Sequence, residues 1–219
     1  MHNNLGLDQM EQHLDAFLKR LKYNDEVIFY FSGHGLQYRG KQLFVPCEME
    51  DPAEECKILS TAFSVDEAIK KICYAASDGF KLIISDACRE EYEQVLKTMA
   101  SQTGVRYDEV NIRFQKTKDD NEDDDGPQKG GKIKKQKNLV RLFAVSQGQR
   151  ATAGLREELS VYTKSLIKCL SIPNKSVFEI STMVSEDLEG RHTSSEILIK
   201  SGGKIVKDFR FKQKCEINQ

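Results

Sequence analysis

Two short apolar runs in this chain end on residues able to carry covalent chemistry. Val27-Ile28-Phe29-Tyr30-Phe31 runs into Ser32-Gly33-His34-Gly35, and Lys81-Leu82-Ile83-Ile84-Ser85 runs into Asp86-Ala87-Cys88-Arg89. His34 follows Phe31 by three positions, and Cys88 follows Ser85 by three. Between the two runs, Ser64-Val65-Asp66-Glu67 has capping-box spacing, and Val65, Ala68, Ile69, Ile72, Cys73 and Ala76 repeat at helical period. Strand, helix and strand of these lengths form a βαβ unit with its two strands parallel. Catalytic groups in such sheets gather at the carboxyl ends of strands. The pattern therefore predicts an imidazole and a thiol side by side on one sheet edge.

The rest of the chain extends this α/β reading. Asp8-Gln9-Met10-Glu11 has the spacing of a capping box, and Met10, Leu14, Phe17, Leu18 and Leu21 form a stripe for a helix of about four turns. Strands are expected over 26–31, 80–85 and 139–146, with a glycine-punctuated loop after the first. Helices are expected over 159–170, with Val161, Leu166, Ile167 and Leu170 inward, and over 177–188. Residues 196–200 and 204–211 flank Gly202-Gly203 and read as a terminal hairpin or a closing strand. Between Thr117 and Asn138 an acidic run, two glycine breaks and a basic run mark a solvated linker. Asn121-x-Asp123-x-Asp125-Gly126 is an incomplete calcium loop, because Lys132 stands where the bidentate Glu is needed. The domain thus divides into 1–116, the linker 117–138, and 139–219.

Composition removes several classes of function. With 39% apolar and 31% charged residues the chain has the make-up of a globular protein, and its net charge of −1 argues against nucleic acid as a partner. No apolar run approaches the ~18 residues of a membrane span, and Met1-His2-Asn3-Asn4 begins no signal pattern, so a cytoplasmic protein is expected. Six cysteines in that setting are reduced thiols, and no pair has the spacing of a zinc or redox site. Neither metal nor other cofactor is expected. Cys73 and Cys169 fall on apolar helix faces and read as core residues.

A thiol needs a nearby imidazole or helix N-terminus to react as thiolate. Strands about 4.8 Å apart bring His34 and Cys88 within reach of each other. Gly33 and Gly35 permit a tight turn and leave the Gly35 amide open to pair with the Cys88 amide as an oxyanion hole. Taken singly, His34 is a turn histidine and Cys88 a strand-end thiol; taken together they form a dyad. Asp86 reads either as a turn or cap acceptor or as a carboxylate beside the nucleophile.

Phe29-Tyr30-Phe31-Ser32-Gly33-His34-Gly35 with Ser85-Asp86-Ala87-Cys88-Arg89 resembles the catalytic core of the caspase, metacaspase and paracaspase superfamily. Phe143-Ala144-Val145-Ser146-Gln147-Gly148 and Ser160-Val161-Tyr162-Thr163-Lys164-Ser165-Leu166 resemble its small-subunit strand and following helix. The resemblance implies a three-layer caspase-like sandwich with a mostly parallel central sheet, and a cysteine endopeptidase acting on proteins or peptides. The spacing from 34 to 88 fits the caspase rule of a histidine about 50 residues upstream of the cysteine. Caspases carry Gln at the position of Asp86; metacaspases and paracaspases carry Asp, which implies cleavage after Arg or Lys. Arg150 lies near where paracaspases place a further acidic pocket residue, and a cation there weakens that preference. The linker falls between the family's large and small subunits, where a basic Lys129–Lys137 stretch suits self-processing after Arg or Lys and the acidic Asp119–Asp125 run would instead suit an aspartate-specific protease. Only the first 25 residues precede the His34 strand, too few for a βαβ unit of ~30 residues. An N-terminally truncated sheet is therefore expected, completed by a homodimer or a caspase-like partner. A catalytically silent module that regulates an active relative is the alternative function.

Overall fold

The computed structural model describes residues 4–48, 60–95, 97, 138–151, 159–189, 196–200 and 209–211. The elements are α1 (Leu7–Leu18), β1 (Val27–Gly33), β2 (Gly35–Tyr38), β3 (Lys41–Phe44), β4 (Phe63–Ser64), α2 (Val65–Ala75), β5 (Lys81–Ala87), β6 (Leu139–Phe143), α3 (Val161–Leu170), β7 (Lys175–Ser176), α4 (Val177–Asp187), β8 (Glu196–Lys200) and β9 (Arg210–Phe211). The linker, with its acidic run, incomplete calcium loop and basic stretch, lies outside the described residues except for Asn138.

The main sheet has the order β1-β5-β6-β8, with β1, β5 and β6 parallel and β8 antiparallel to β6. Alternation along β5 divides the core. Leu82 and Ile84 face α3 and α4 with Val140, Leu142, Leu166 and Ile180, while Ile83 and Ala87 face α2 with Val65, Ile69 and Ile72. All seven β5 residues are buried, as a central parallel strand requires. Three layers result, and the expected sandwich is the observed one.

Both strands that carry the paired motifs run two residues further than their apolar stretches suggest. The ladder continues through Ser32↔Asp86 and Gly33↔Ala87, so His34 and Cys88 each stand one residue past a strand end. β1 stands where an N-terminally truncated sheet leaves it. It is the edge of the sheet among the described residues, with Ile28 54% exposed and Phe29, Tyr30 and Phe31 half-buried. A groove of about 420 Å³ follows that edge, lined by β1 and by α1 residues including Met10, Leu14 and Phe17.

Helix starts follow capping chemistry. Ser64 caps α2 as expected, its Oγ accepting from the Glu67 amide, but the Glu67 carboxylate pairs with Lys70 instead of closing the box. α1 begins earlier than Asp8-x-x-Glu11 predicts, because the Gln9 side chain accepts from the Gly6 amide at 3.1 Å. On α3 the inward residues are Tyr162, Thr163, Ser165, Leu166 and Cys169, and Ile167 is 53% exposed. The buried stripe runs through 162, 166 and 169, which turns Ile167 outward. Arg210–Phe211 pairs with Lys175–Ser176, and β8 closes the sheet against β6.

At α4 the box is complete: the Ser176 Oγ accepts from the Glu179 amide, and the Glu179 carboxylate accepts from the Ser176 amide. That amide, with Lys175 and the Ser176 hydroxyl, holds the Glu179 carboxyl down from its ordinary 4.5 to about 2. A depressed carboxylate contributes stability that is full above its unfolded value and lost as pH falls through the folded one. Glu179→Gln should therefore flatten the fall of Tm between pH 4.5 and 2; a profile with an undiminished slope there would refute the cap's role.

Two buried cations show how the core accepts charge. The Lys81 side chain is fully buried, and its Nζ donates to the Ala76 and Ser77 carbonyls at the end of α2. Burial lowers its pKa, while the negative helix end supplies acceptors for its protons. Arg141 is ion-paired with Asp66 at 3.2 Å and donates to Gln42 at 3.0 Å. Cys73 and Cys169 are core residues as expected, 7% and 3% exposed.

Candidate active site

The site begins with the register of β1 on β5. The two strands enter together: the Val27 amide donates to Phe80 O at 2.8 Å, and the Asp78 amide donates to Tyr23 O at 2.8 Å. Seven matched pairs later they deliver His34 and Cys88 at equivalent positions. Neighbouring strands lie about 4.8 Å apart, so the two residues follow adjacent strand ends. Both line one cleft of about 240 Å³, together with Gly35, Leu36, Val45, Glu90 and Val95. His34 is exposed and Cys88 half-buried, its Sγ 4.0 Å from the Ala151 carbonyl.

A hairpin straps this pair. The segment expected to be a loop folds into β2 and β3, joined by Arg39 (φ 49°) and Gly40 (φ 74°). Two successive residues of positive φ define the type I′ turn that matches strand twist. β4 completes a three-stranded antiparallel sheet. The Val45 amide, just beyond β3, donates to His34 O at 2.9 Å, and the Gln37 amide donates to Glu90 O at 2.7 Å. Phe44 stacks on Phe31 with ring centres 3.6 Å apart. The hairpin thus holds the backbone on both the histidine and the cysteine side. Gly35 lies so near β5 that a Cβ there would come within 2.9 Å of Ala87 Cβ and 3.0 Å of the Cys88 carbonyl. Close packing here requires glycine.

On the far side of Cys88 the chain is tied to the segment after β6. The Arg89 amide donates to Gln149 O at 2.9 Å, and the Gly148 amide donates to Arg89 O at 2.8 Å. The Arg89 guanidinium is buried over the Phe143 ring, 3.9 Å from its centre, and donates to Val145 O. This ladder brings Arg150 near Cys88, where its Nε donates to Glu90 Oε2 at 2.6 Å. Glu90, and to a smaller degree the Cys88 sulfur, raise the Arg150 pKa above its ordinary value.

Asp86 is elsewhere. It is 4% exposed and is not among the residues lining the cleft. Its Oδ2 accepts from Thr163 Oγ1 at 2.5 Å, from Ser32 Oγ at 3.4 Å, and from Ser160 Oγ. Ser160 is also the N-cap of α3, so the carboxylate is anchored at a helix start. Tyr162 beside it has its phenol pushed up, first by burial and then by the Asp86 charge. Glu90 and the hairpin are parts of the site that motif reading passed over, and Ser160 and Thr163 stood in a motif that gave no sign of their bonds to Asp86. The Arg39-Gly40 dipeptide between alternating residues was a usable signal for the hairpin; nothing local marked Glu90.

Among the described residues, no cluster of three or more His, Cys, Asp or Glu could hold a metal ion, and no helix is long and apolar enough to cross a membrane.

A parallel sheet whose adjacent strands end in a histidine and a half-buried cysteine on one cleft is the arrangement of a caspase-type peptidase domain. The chain belongs to the caspase domain family, whose pattern matches residues 1–219, and at the level of the family it is a cysteine peptidase acting on protein substrates. A comparison with curated proteins found no match. Among solved structures, the crystal structure of protein GSU0716 from Geobacter sulfurreducens is similar at a TM-score of 0.58 and 13% identity, over 95% of this chain and 79% of that one. At that identity the likeness concerns the fold alone.

Proposed function

We propose that the chain is a cysteine endopeptidase that cleaves after Arg or Lys. Cys88 Sγ attacks the scissile carbonyl carbon while the Gly35 and Cys88 amides receive the oxyanion. The C–N bond breaks as His34 passes its proton to the leaving amine, and His34 then activates the water that hydrolyses the thioester. Asp86 reads the basic P1 side chain, whose charge competes with the hydroxyls of Ser32, Ser160 and Thr163 for its carboxylate. The observation that carries this reading is the register Gly33↔Ala87, which leaves His34 and Cys88 as neighbours on one cleft. Self-processing within 117–138 belongs to the same reading, because the basic Lys129–Lys137 stretch offers the required P1 residues.

The test is a panel of fluorogenic peptides ending in Arg, Lys, Asp or norleucine. Arg and Lys peptides should be cleaved and the Asp peptide refused, because like charges at P1 are disfavoured. Cleavage of the Asp peptide alone would remove Asp86 from the mechanism. A second reading, a silent module that binds or regulates an active relative, is favoured by the edge position of β1 among the described residues and by the groove along it.

A further inference from the structure

The carboxylate that opens onto the cleft is Glu90. It lines the same cavity as His34 and Cys88, and its backbone is fastened to the hairpin through Gln37. Its side chain is only 13% exposed, while that of its partner Arg150 is 58% exposed. The pair is therefore lopsided: the acid is embedded in the cleft wall and the base stands in solvent. An embedded carboxylate needs hydrogen-bond donors or a cation; the partner here is a surface guanidinium, which exchanges at little cost against another cation that reaches the same oxygens. Ala151, next to Arg150, has its carbonyl 4.0 Å from Cys88 Sγ, so an exchange at Glu90 takes place beside the nucleophile.

We propose that Glu90 is a substrate-reading carboxylate and that Arg150 is its internal occupant, displaced when a guanidinium or ammonium side chain of the substrate enters the cleft. The inference rests on the peptidase reading and deepens it, adding to Asp86 a determinant that faces the cleft. Arg150 then acts as a built-in competitor. It covers the acid in the empty enzyme and lowers affinity for basic substrates without touching the reacting atoms. The cation at position 150 thus regulates a basic preference instead of opposing it.

The test separates binding from turnover. The full chain carrying Cys88→Ala is titrated with Nα-acetyl-arginine amide, and with Nα-acetyl-norleucine amide as the uncharged control, and binding is followed by NMR shifts. Arg150→Ala in that background should tighten the arginine probe about tenfold, and Glu90→Gln should weaken it by a similar factor, the scale of one charge-assisted hydrogen bond. The double variant should bind like Glu90→Gln, and the norleucine probe should not respond. An arginine probe indifferent to Arg150→Ala, or bound equally by Glu90→Gln with its thermal unfolding unchanged, overturns the proposal. If the wild-type chain cleaves no peptide while the probe pattern holds, the peptidase reading fails and the Glu90 site stands. If peptides are cleaved while the probes ignore both variants, this inference alone falls.

Discussion

Cys88→Ala should lower hydrolysis of Arg- and Lys-ending peptides by at least about 10³-fold with unfolding behaviour unchanged, since members of one catalytic unit each cost nearly the whole rate advantage. His34→Ala should do the same, and the double variant should be no worse than either alone, because the two act in one step. The fold is expected to survive because Cys88 is half-buried beyond the end of β5 and belongs to no core cluster. Alkylation by iodoacetamide at neutral pH gives an independent readout. Cys88 should react faster than Cys47, which is exposed but faces no imidazole across a sheet. Cys73 and Cys169 should react slowest, their thiols pushed up by burial. Labelling of Cys88 no faster than Cys47, together with no peptide hydrolysis by the wild-type chain, would decide for the silent module.

Gly79→Ala should destabilise the domain by about 3 kcal/mol or more, the upper range for forcing atoms into a packed site, and so lower Tm by roughly 6–12 °C. A Cβ at Gly79 would stand 1.8 Å from the Asp25 carbonyl oxygen and 2.6 Å from its carbon, and backbone atoms cannot rotate away as a side-chain tip can. The same contact sets the entry of β1 beside β5, through the Asp78 amide on Tyr23 O and the Val27 amide on Phe80 O. Any shift is carried along the ladder toward His34 and Cys88. Residual folded protein should therefore lose peptidase rate beyond its loss of folded fraction. A variant with wild-type Tm and activity would mean that the β1–β5 entry adjusts freely.

The paired motifs made the site legible because each lies within nine residues of chain, and a buried parallel strand announces itself by an unbroken apolar run. Helix starts were legible in part for a similar reason: Ser64 and Glu67 settle a cap between residues three apart, whereas at α1 Gln9 reaches the Gly6 amide in place of the Asp8–Glu11 pairing. Boundaries shifted where hydrogen bonding outlasted hydrophobicity. Ser32, Gly33 and Asp86 are polar or small, yet the ladder runs through them. The apolar run over 27–31 reads alike in the middle of a sheet and at its edge; the short stretch of chain before it is what pointed to the edge position that β1 takes among the described residues.

What the sequence by itself determined is the chemistry on offer: a histidine and a cysteine behind two strands, helices with defined stripes and caps, and a family pattern spanning the chain. These properties arise between residues a few positions apart, where backbone period and capping act. What only the tertiary structure decided is which charge meets which. Asp86 is held by hydroxyls 74 and 77 positions away, and Glu90 by Arg150 at a separation of 60. Such pairs depend on sheet register and on loops brought together after the chain has collapsed, and no local period encodes them.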